Sequence, residues 1–173
     1  MAQVYIRAAT PNDVPDVMKI IDEAKAFLKS YGSPQWQDGH PNEEMINADI
    51  ENKIAYVLIV EGHVAGYSAL SFTADPNYDG IYDGQWQNNS DKYAVIHRSA
   101  ISANYRGQHL TNFLFSNLIS RTLAEGIHNI RIDTHPMNKP MQHLVGSFGF
   151  VKRGKVDVDD QIDPVRDAFE LNL

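Results

Sequence analysis

The eleven residues Ala100-Ile101-Ser102-Ala103-Asn104-Tyr105-Arg106-Gly107-Gln108-His109-Leu110 hold the most chemical information in this chain. A strand ends, a short polar turn follows, and a long helix begins. The first N–H groups of a helix have no intrahelical acceptor, and together with the helix dipole they make an anion site. Arg106 adds a fixed positive charge, and Gly107 lets the main chain approach a ligand closely. A pyrophosphate suits such a place, although an ordinary capped turn uses the same residue types. Proton transfer near neutrality calls for histidine, whose ordinary pKa is about 6.5. His97 lies mid-strand in Tyr93-Ala94-Val95-Ile96-His97-Arg98, and alternation sets it on one face with Val95 and Ser99. His135 follows the strand Ile130–Thr134, at the carboxyl end where ligands gather in such sheets, with Asp133 and Thr134 placed to orient it. Both are candidate bases, weighed against structural roles as a core and a turn residue.

Other chemistries are excluded or unsupported. The chain has 0 Cys, so a disulfide framework, a thiolate zinc site and a cysteine nucleophile are ruled out. No pair of histidines stands at metal-ligand spacing, so no metal is expected. No Ser/His/Asp set is organised by spacing. With 15 Lys+Arg against 22 Asp+Glu the net charge is −7, a poor balance for nucleic acid but one that favours a cationic acceptor. No signal-like segment opens the chain and no apolar run approaches the roughly 20 residues that span a bilayer. The reading is a cytoplasmic protein with no membrane partner.

These residues need elements to position them. Val4–Arg7 reads as a strand, and Thr10-Pro11-Asn12-Asp13 as a helix start, with Val14, Val17, Ile20, Ile21, Ala24, Phe27 and Leu28 at helical spacing up to Gly32 and Pro34. A second helix spans 42–53, capped by Asn42. Strands at 55–60 and 64–70 flank a tight Glu61-Gly62-His63 turn. Residues 73–91 lack periodicity. Their Tyr78, Tyr82 and Trp86, with Trp36 from an earlier loop, could cage a cationic amine beside Asp75, Asp79 and Asp83, or could simply pack the loops on the sheet. Trp36 and Trp86 both sit in Gln-Trp-Gln triplets. A strand at 93–102, a helix at 108–125 stopped by Gly126, a strand at 130–134, a helix at 138–147 and strands at 150–158 and 167–173 complete the chain. The order β-α-α-β-β-β-α-β-α-β-β predicts one α/β (α+β) domain over 1–173, with a mixed sheet and a right-handed parallel crossover in its second half.

The turn at Arg106 and the segment Asn138-Lys139-Pro140-Met141-Gln142-His143-Leu144-Val145-Gly146-Ser147-Phe148-Gly149-Phe150 together resemble the GNAT superfamily of acyl-CoA-dependent N-acyltransferases. Members have an Arg/Gln-x-x-Gly-x-Gly/Ala turn before a helix, then Asn-x-x-Ala-x-x-Leu-Tyr-x-x-x-Gly-Phe. Here His109 and Thr111 stand at the two Gly/Ala positions, Met141 at the Ala and Val145 at the Tyr. The resemblance covers nearly the whole chain. It implies a mostly antiparallel sheet of about seven strands flanked by four helices, with the fourth and fifth strands splayed. It implies acetyl-CoA as co-substrate and direct transfer to a primary amine of a small molecule or peptide. The main chain of Ser99, Ala100 and Ile101 would pair with the pantetheine arm, one N–H polarising the thioester carbonyl. The amides of Arg106, Gly107, Gln108, His109, Leu110 and Thr111 would hold the pyrophosphate. Asn138 would bond the coenzyme arm, cap its helix, or both. By analogy a homodimer stays open. The departures at His109, Thr111 and Val145 keep alive a non-catalytic acyl-CoA sensor, and a structural module that binds no coenzyme is a third reading.

Overall fold

The structure, a computed structural model, describes residues 2–89 and 91–173; Met1, in the opening segment, and Ser90, in the aperiodic stretch, lie outside the described residues. The described residues form β1 (Val4–Ala8), α1 (Val14–Ser30), α2 (Glu43–Glu51), β2 (Ala55–Val60), β3 (His63–Ser71), β4 (Ala94–Ile101), α3 (Leu110–Ala124), β5 (Asn129–Thr134), α4 (Lys139–Ser147), β6 (Val151–Asp157) and β7 (Val165–Asn172), with three short 3-10 turns. One sheet runs in the order β1-β2-β3-β4-β5-β7-β6. Its pairs are antiparallel apart from β4 and β5. The expected mixed, mostly antiparallel sheet with its parallel crossover is what forms.

Local sequence accounts for the element ends. The Asp13 carboxylate accepts from the Thr10 N–H at 2.7 Å and from Arg7 at 2.7 and 2.8 Å, tying the entry of α1 to β1. The Arg7 guanidinium, more than any other cause, holds the Asp13 carboxyl down at about 2. Asn42 Oδ1 caps α2 through the Met45 N–H. Gly126, at φ +72°, ends α3. Several expected boundaries shift by a residue or two; α3 starts at Leu110 rather than Gln108, because Gly107 (φ +78°) and His109 (φ +57°) take left-handed backbone and open the turn instead of extending the helix.

Apolar packing covers both faces of the sheet. α3 and α4 bury Leu114, Phe115, Leu118 and Val145 against Leu58, Ile96 and Ile130. α1 and α2 bury Val17, Ile21 and Ile46 against Val57, Ile59 and Tyr67 on the other face. Each fully buried side chain of this size contributes about 1.5–3 kcal/mol, so these two layers fix the frame on which the loops rest.

The splay that positions the site has a visible cause. β4 and β5 pair only at Ala94 with Ile130 and Val95 with Arg131. Beyond that point β4 stays on β3 through Ile101, while β5 stays on β7 through Thr134. Each strand follows its outer neighbour, and a wedge opens between them.

Candidate active site

A cleft of about 910 Å³ fills this wedge. Its walls include Ile96–Ile101 of β4, Ile132–Thr134 of β5, the turn at Arg106, Gly107 and His109, and the first turns of α3 and α4. The end of α1 and the α1–α2 loop close one side with Phe27, Tyr31, Gln35 and Trp36.

The anion end is made of main chain. The Arg106 and Gln108 N–H groups reach the carbonyls of Ala103 and Tyr105 only at 3.4 Å. Among the described residues the N–H groups of Gly107, His109, Leu110 and Thr111 have no protein acceptor. A helix start with free donors is an anion site, and this one borders the cleft. A Cβ on Gly107 would meet nothing within 4 Å, so Gly is required there by its positive φ rather than by space. The Arg106 guanidinium sits 4.6 Å from the centre of the Phe27 ring and donates to the Glu23 carbonyl at 3.5 Å, so it braces the turn against α1. The Glu23 carboxylate, in turn, accepts from the Ala103 N–H at 2.7 Å.

The strand edge carries a feature that alternation missed. The register slips between Tyr67 and Ala69: Ala69 pairs with His97, but Tyr67 pairs with Ala100. Two steps along β3, from Tyr67 to Ala69, therefore face three along β4, from His97 to Ala100. This is a β-bulge, and it centres on Arg98, whose φ is +53°. His97 thus shares a face with Ala100, and Ser99 turns to the other side, where its hydroxyl meets that of Ser68 at 2.8 Å. The expected grouping of His97 with Ser99 is corrected by the bulge. The Arg98 guanidinium grips Asp49 of α2 at 2.8 and 2.6 Å.

His97 lines the cleft, and its Nε2 lies 3.6 Å from Asp75 Oδ2. Burial first, and the Arg98 charge second, push its imidazole from 6.5 down to about 3, so it is neutral throughout the usual pH range. Asp133 also lines the cleft; burial raises its carboxyl, and the Tyr78 hydroxyl donates to it at 2.8 Å. Asp38, Asp75, Asp159 and Asp160 add carboxylates to the same walls. Arg166 is the matching cation, but it is committed to Asp160 and to the carbonyls of Asp163 and Val165. The acceptor end is therefore acidic.

The other candidates fall in three places. Ser99, Ala100, Ile101, Arg106, Gly107, His109, Thr111, Asn138 and Trp36 line the cleft with His97; Gln108 and Leu110 stand behind it in the turn. Asn138 caps α4, its Oδ1 accepting from the Met141 N–H at 3.2 Å, while its Nδ2 donates to Gln35 at 3.2 Å. His135 sits outside the cleft lining. Its Nδ1 accepts from the Met137 N–H at 3.1 Å and its Nε2 meets Asp163 at 3.0 Å, so both nitrogens serve the turn. Tyr78 and Trp86 are buried and border a second cavity of about 690 Å³ instead. Trp86 Nε1 donates to the Tyr78 carbonyl at 2.8 Å, and its ring stacks on the Arg131 guanidinium at 4.2 Å. Tyr82 lies on the outer edge, bridging Lys155 and donating to Asp157 at 3.0 Å. These three aromatics dock the loop on the sheet; only Trp36 of the four stands at the cleft.

The two Gln-Trp-Gln triplets prove to be loop anchors. Gln35 Oε1 receives Thr134, His135 and Asn138 donors at 3.2–3.5 Å. The Gln87 N–H donates to the buried Glu170, and the Gln85 N–H to the Arg153 carbonyl. Sequence reasoning missed Gln35, Tyr31 and Asp49. Asp49 had a signal: it lies three residues after Ile46 on the apolar face of α2, where an unpaired carboxylate is costly. Val145 is fully buried in the core, so this position faces inward. Among the described residues no group of three or more His, Cys, Asp or Glu could hold a metal ion.

A wedge opened between parallel β4 and β5, flanked by a donor-rich turn into α3, is the arrangement of the GNAT fold. The acetyltransferase (GNAT) family model matches residues 20–150, and the chain belongs to that family. A GNAT acetyltransferase from Streptococcus agalactiae 2603 is 37% identical, covering 98% of this chain and 95% of its own, with a TM-score of 0.88. A Staphylococcus aureus Mu50 protein provisionally called an acetyltransferase is 28% identical over 96% of this chain and 97% of its own, with a TM-score of 0.73. A Bacillus subtilis (strain 168) protein, provisionally named a [ribosomal protein bS18]-alanine N-acetyltransferase, is 26% identical over 86% of this chain and 82% of its own. The chain is an acyltransferase enzyme. Among the described residues no helix is long and apolar enough to cross a membrane.

Proposed function

We propose that this acyltransferase moves the acetyl group of acetyl-CoA onto a primary amine by direct attack in a ternary complex. The observation that carries the reading is a coincidence in space. The unsatisfied N–H groups of Gly107, His109, Leu110 and Thr111 open on the same cleft as the unpaired β4 edge and His97. The first would hold the diphosphate, the second the pantetheine arm, and the third the acceptor side. The residues fit the co-substrate, which supplies an activated acyl group as a thioester.

The rest is work for the protein's own groups. The β4 main chain past the bulge offers N–H donors to the thioester carbonyl, where negative charge develops. The neutral amine attacks, the C–N bond forms as the C–S bond breaks, and the thiolate leaves and takes a proton from solvent. Neutral His97 takes the proton shed by the attacking nitrogen at Nε2, directly or through water. The Asp75 carboxylate, 3.6 Å away, stabilises the imidazolium so formed. The carboxylates of Asp38, Asp75 and Asp159 draw a cationic acceptor into the cleft, with the Trp36 ring beside them. The Bacillus subtilis relative's name concerns an alanine amine on a ribosomal protein, so peptide α-amines belong among the acceptors alongside small amines.

The test is thiol release from acetyl-CoA across a panel of polyamines, amino acids and peptides with N-terminal alanine. The expected result is saturable transfer to at least one cationic amine. Coenzyme binding with no transfer to any member would favour a sensor instead.

A further inference from the structure

We infer that Asp49 of α2 is a positioning residue for acetyl transfer: its ion pair with Arg98 holds the β4 bulge in the shape that aims main-chain donors at the thioester. This rests on the acetyl-transfer reading above. The bulge residue itself is the first observation. Arg98 is a non-glycine residue at φ +53°, a conformation that L side chains avoid and that persists only where surrounding structure over-determines it.

Asp49 supplies the determination. It is 5% exposed and receives three charge-assisted or buried bonds: Arg98 Nε at 2.8 Å, Arg98 Nη2 at 2.6 Å and the Tyr67 hydroxyl at 2.6 Å. The fork fixes the guanidinium in plane and orientation, which a single bond would not do. Tyr67 holds the carboxylate from behind, and it stands on β3 opposite Ala100. From the other face Ser68 clasps the same step, donating to the His97 carbonyl at 3.3 Å and meeting the Ser99 hydroxyl at 2.8 Å.

The consequence is geometric. The bulge is what sets His97 and Ala100 on one face, and it fixes the backbone of Ser99, Ala100 and Ile101 along the cleft. Arg98 lines the cleft too, and its Nε and Nη2 are committed to Asp49, so this fork fixes the shape of β4 there. The diphosphate cradle at Gly107–Thr111 belongs to a separate turn. Loosening the bulge should therefore impair chemistry more than coenzyme grip, since it disturbs the strand that meets the pantetheine arm but not the turn that holds the diphosphate.

The experiment measures kcat and KM for acetyl-CoA in Asp49→Ala, Asp49→Asn and Arg98→Gly, with thermal unfolding as the fold check. Glycine accepts a positive φ without strain, so Arg98→Gly separates backbone comfort from the ion pair. The expected result is a kcat loss of at least about tenfold in Asp49→Ala and Arg98→Gly, larger than any rise in KM, and a smaller loss in Asp49→Asn. If Asp49→Ala fails to fold, Asp49→Asn and Arg98→Gly decide. Folded variants with kcat within about twofold of the parent protein would overturn the proposal and leave the acetyl-transfer reading standing. If the parent protein transfers no acetyl group, that reading fails. Amide exchange over 98–101 then decides the positioning claim: faster exchange in the variants sustains it, and unchanged exchange overturns it.

Discussion

At the scale of single residues, environment decides what His97 can do. Burial and Arg98 hold its imidazole at about 3, so the neutral form is present without help from alkaline pH. His97→Gln should lower kcat/KM by about 10²–10⁴, the usual worth of a positioned acid–base group. Because the folded pKa is depressed, the acid limb of the pH–rate profile assigned to His97 should lie near its value of about 3. A limb near the ordinary histidine value would contradict either the depressed pKa of His97 or its role as the base. The residue scale is also where sequence reading went furthest and then slipped. His97 as a strand residue and Gly107 as a turn residue were legible from type and spacing. Strict alternation put Ser99 beside His97, because a bulge leaves no mark in an apolar–polar pattern; it shows only as a register slip between strands. Asn138 was legible as a cap, and it is one.

At the scale of elements, the site depends on segments that are not themselves regular. α1 and its following loop are tied to the β4 side by Glu23 and to the β5 side by Gln35. They strap the wedge. Gln35→Ala should orphan donors on Thr134, His135 and Asn138 and cost about 1–3 kcal/mol in a denaturant titration, read as a lower midpoint at unchanged slope. α4 makes a second case. Val145 is fully buried, so Val145→Tyr would force a phenol into a filled core. It should destabilise by about 1–3 kcal/mol without raising kcat, measured by unfolding and turnover on the same sample. A rise in kcat would mean that this position reaches the cleft. Helix and strand order was legible because α1 has a clear apolar stripe and β2 is a continuous apolar run. The start of α3 was not, since two left-handed residues convert a helical-looking Gln108-His109 into loop. The roles of Tyr78 and Trp86 were hidden for a different reason: their partners Asp133 and Arg131 lie far along the chain on β5.

At the scale of the whole molecule, titration and ligand binding act on the folding equilibrium. An unfolded chain carries His97 near 6.5 and the folded one near 3, so between these values the unfolded state holds more protons. Stability from burying the neutral ring is fully present above the unfolded value and is lost as pH falls towards the folded one. The slope from this group cannot exceed about 1.4 kcal/mol per pH unit, and His97→Gln should flatten the decline between those two values in urea titrations. The charge of −7 and the acidic cleft lead to a further expectation. Raising salt from low to physiological levels should raise KM for a cationic acceptor, since exposed charges are screened beyond about 8–10 Å. All of this presupposes that the turn into α3 receives the diphosphate, and amide exchange tests that most directly. With coenzyme A added, the amides of Gly107–Thr111 should become protected, whereas pantetheine, which lacks the diphosphate, should leave them unchanged. Saturating coenzyme A that leaves those amides exchanging as before would contradict the account.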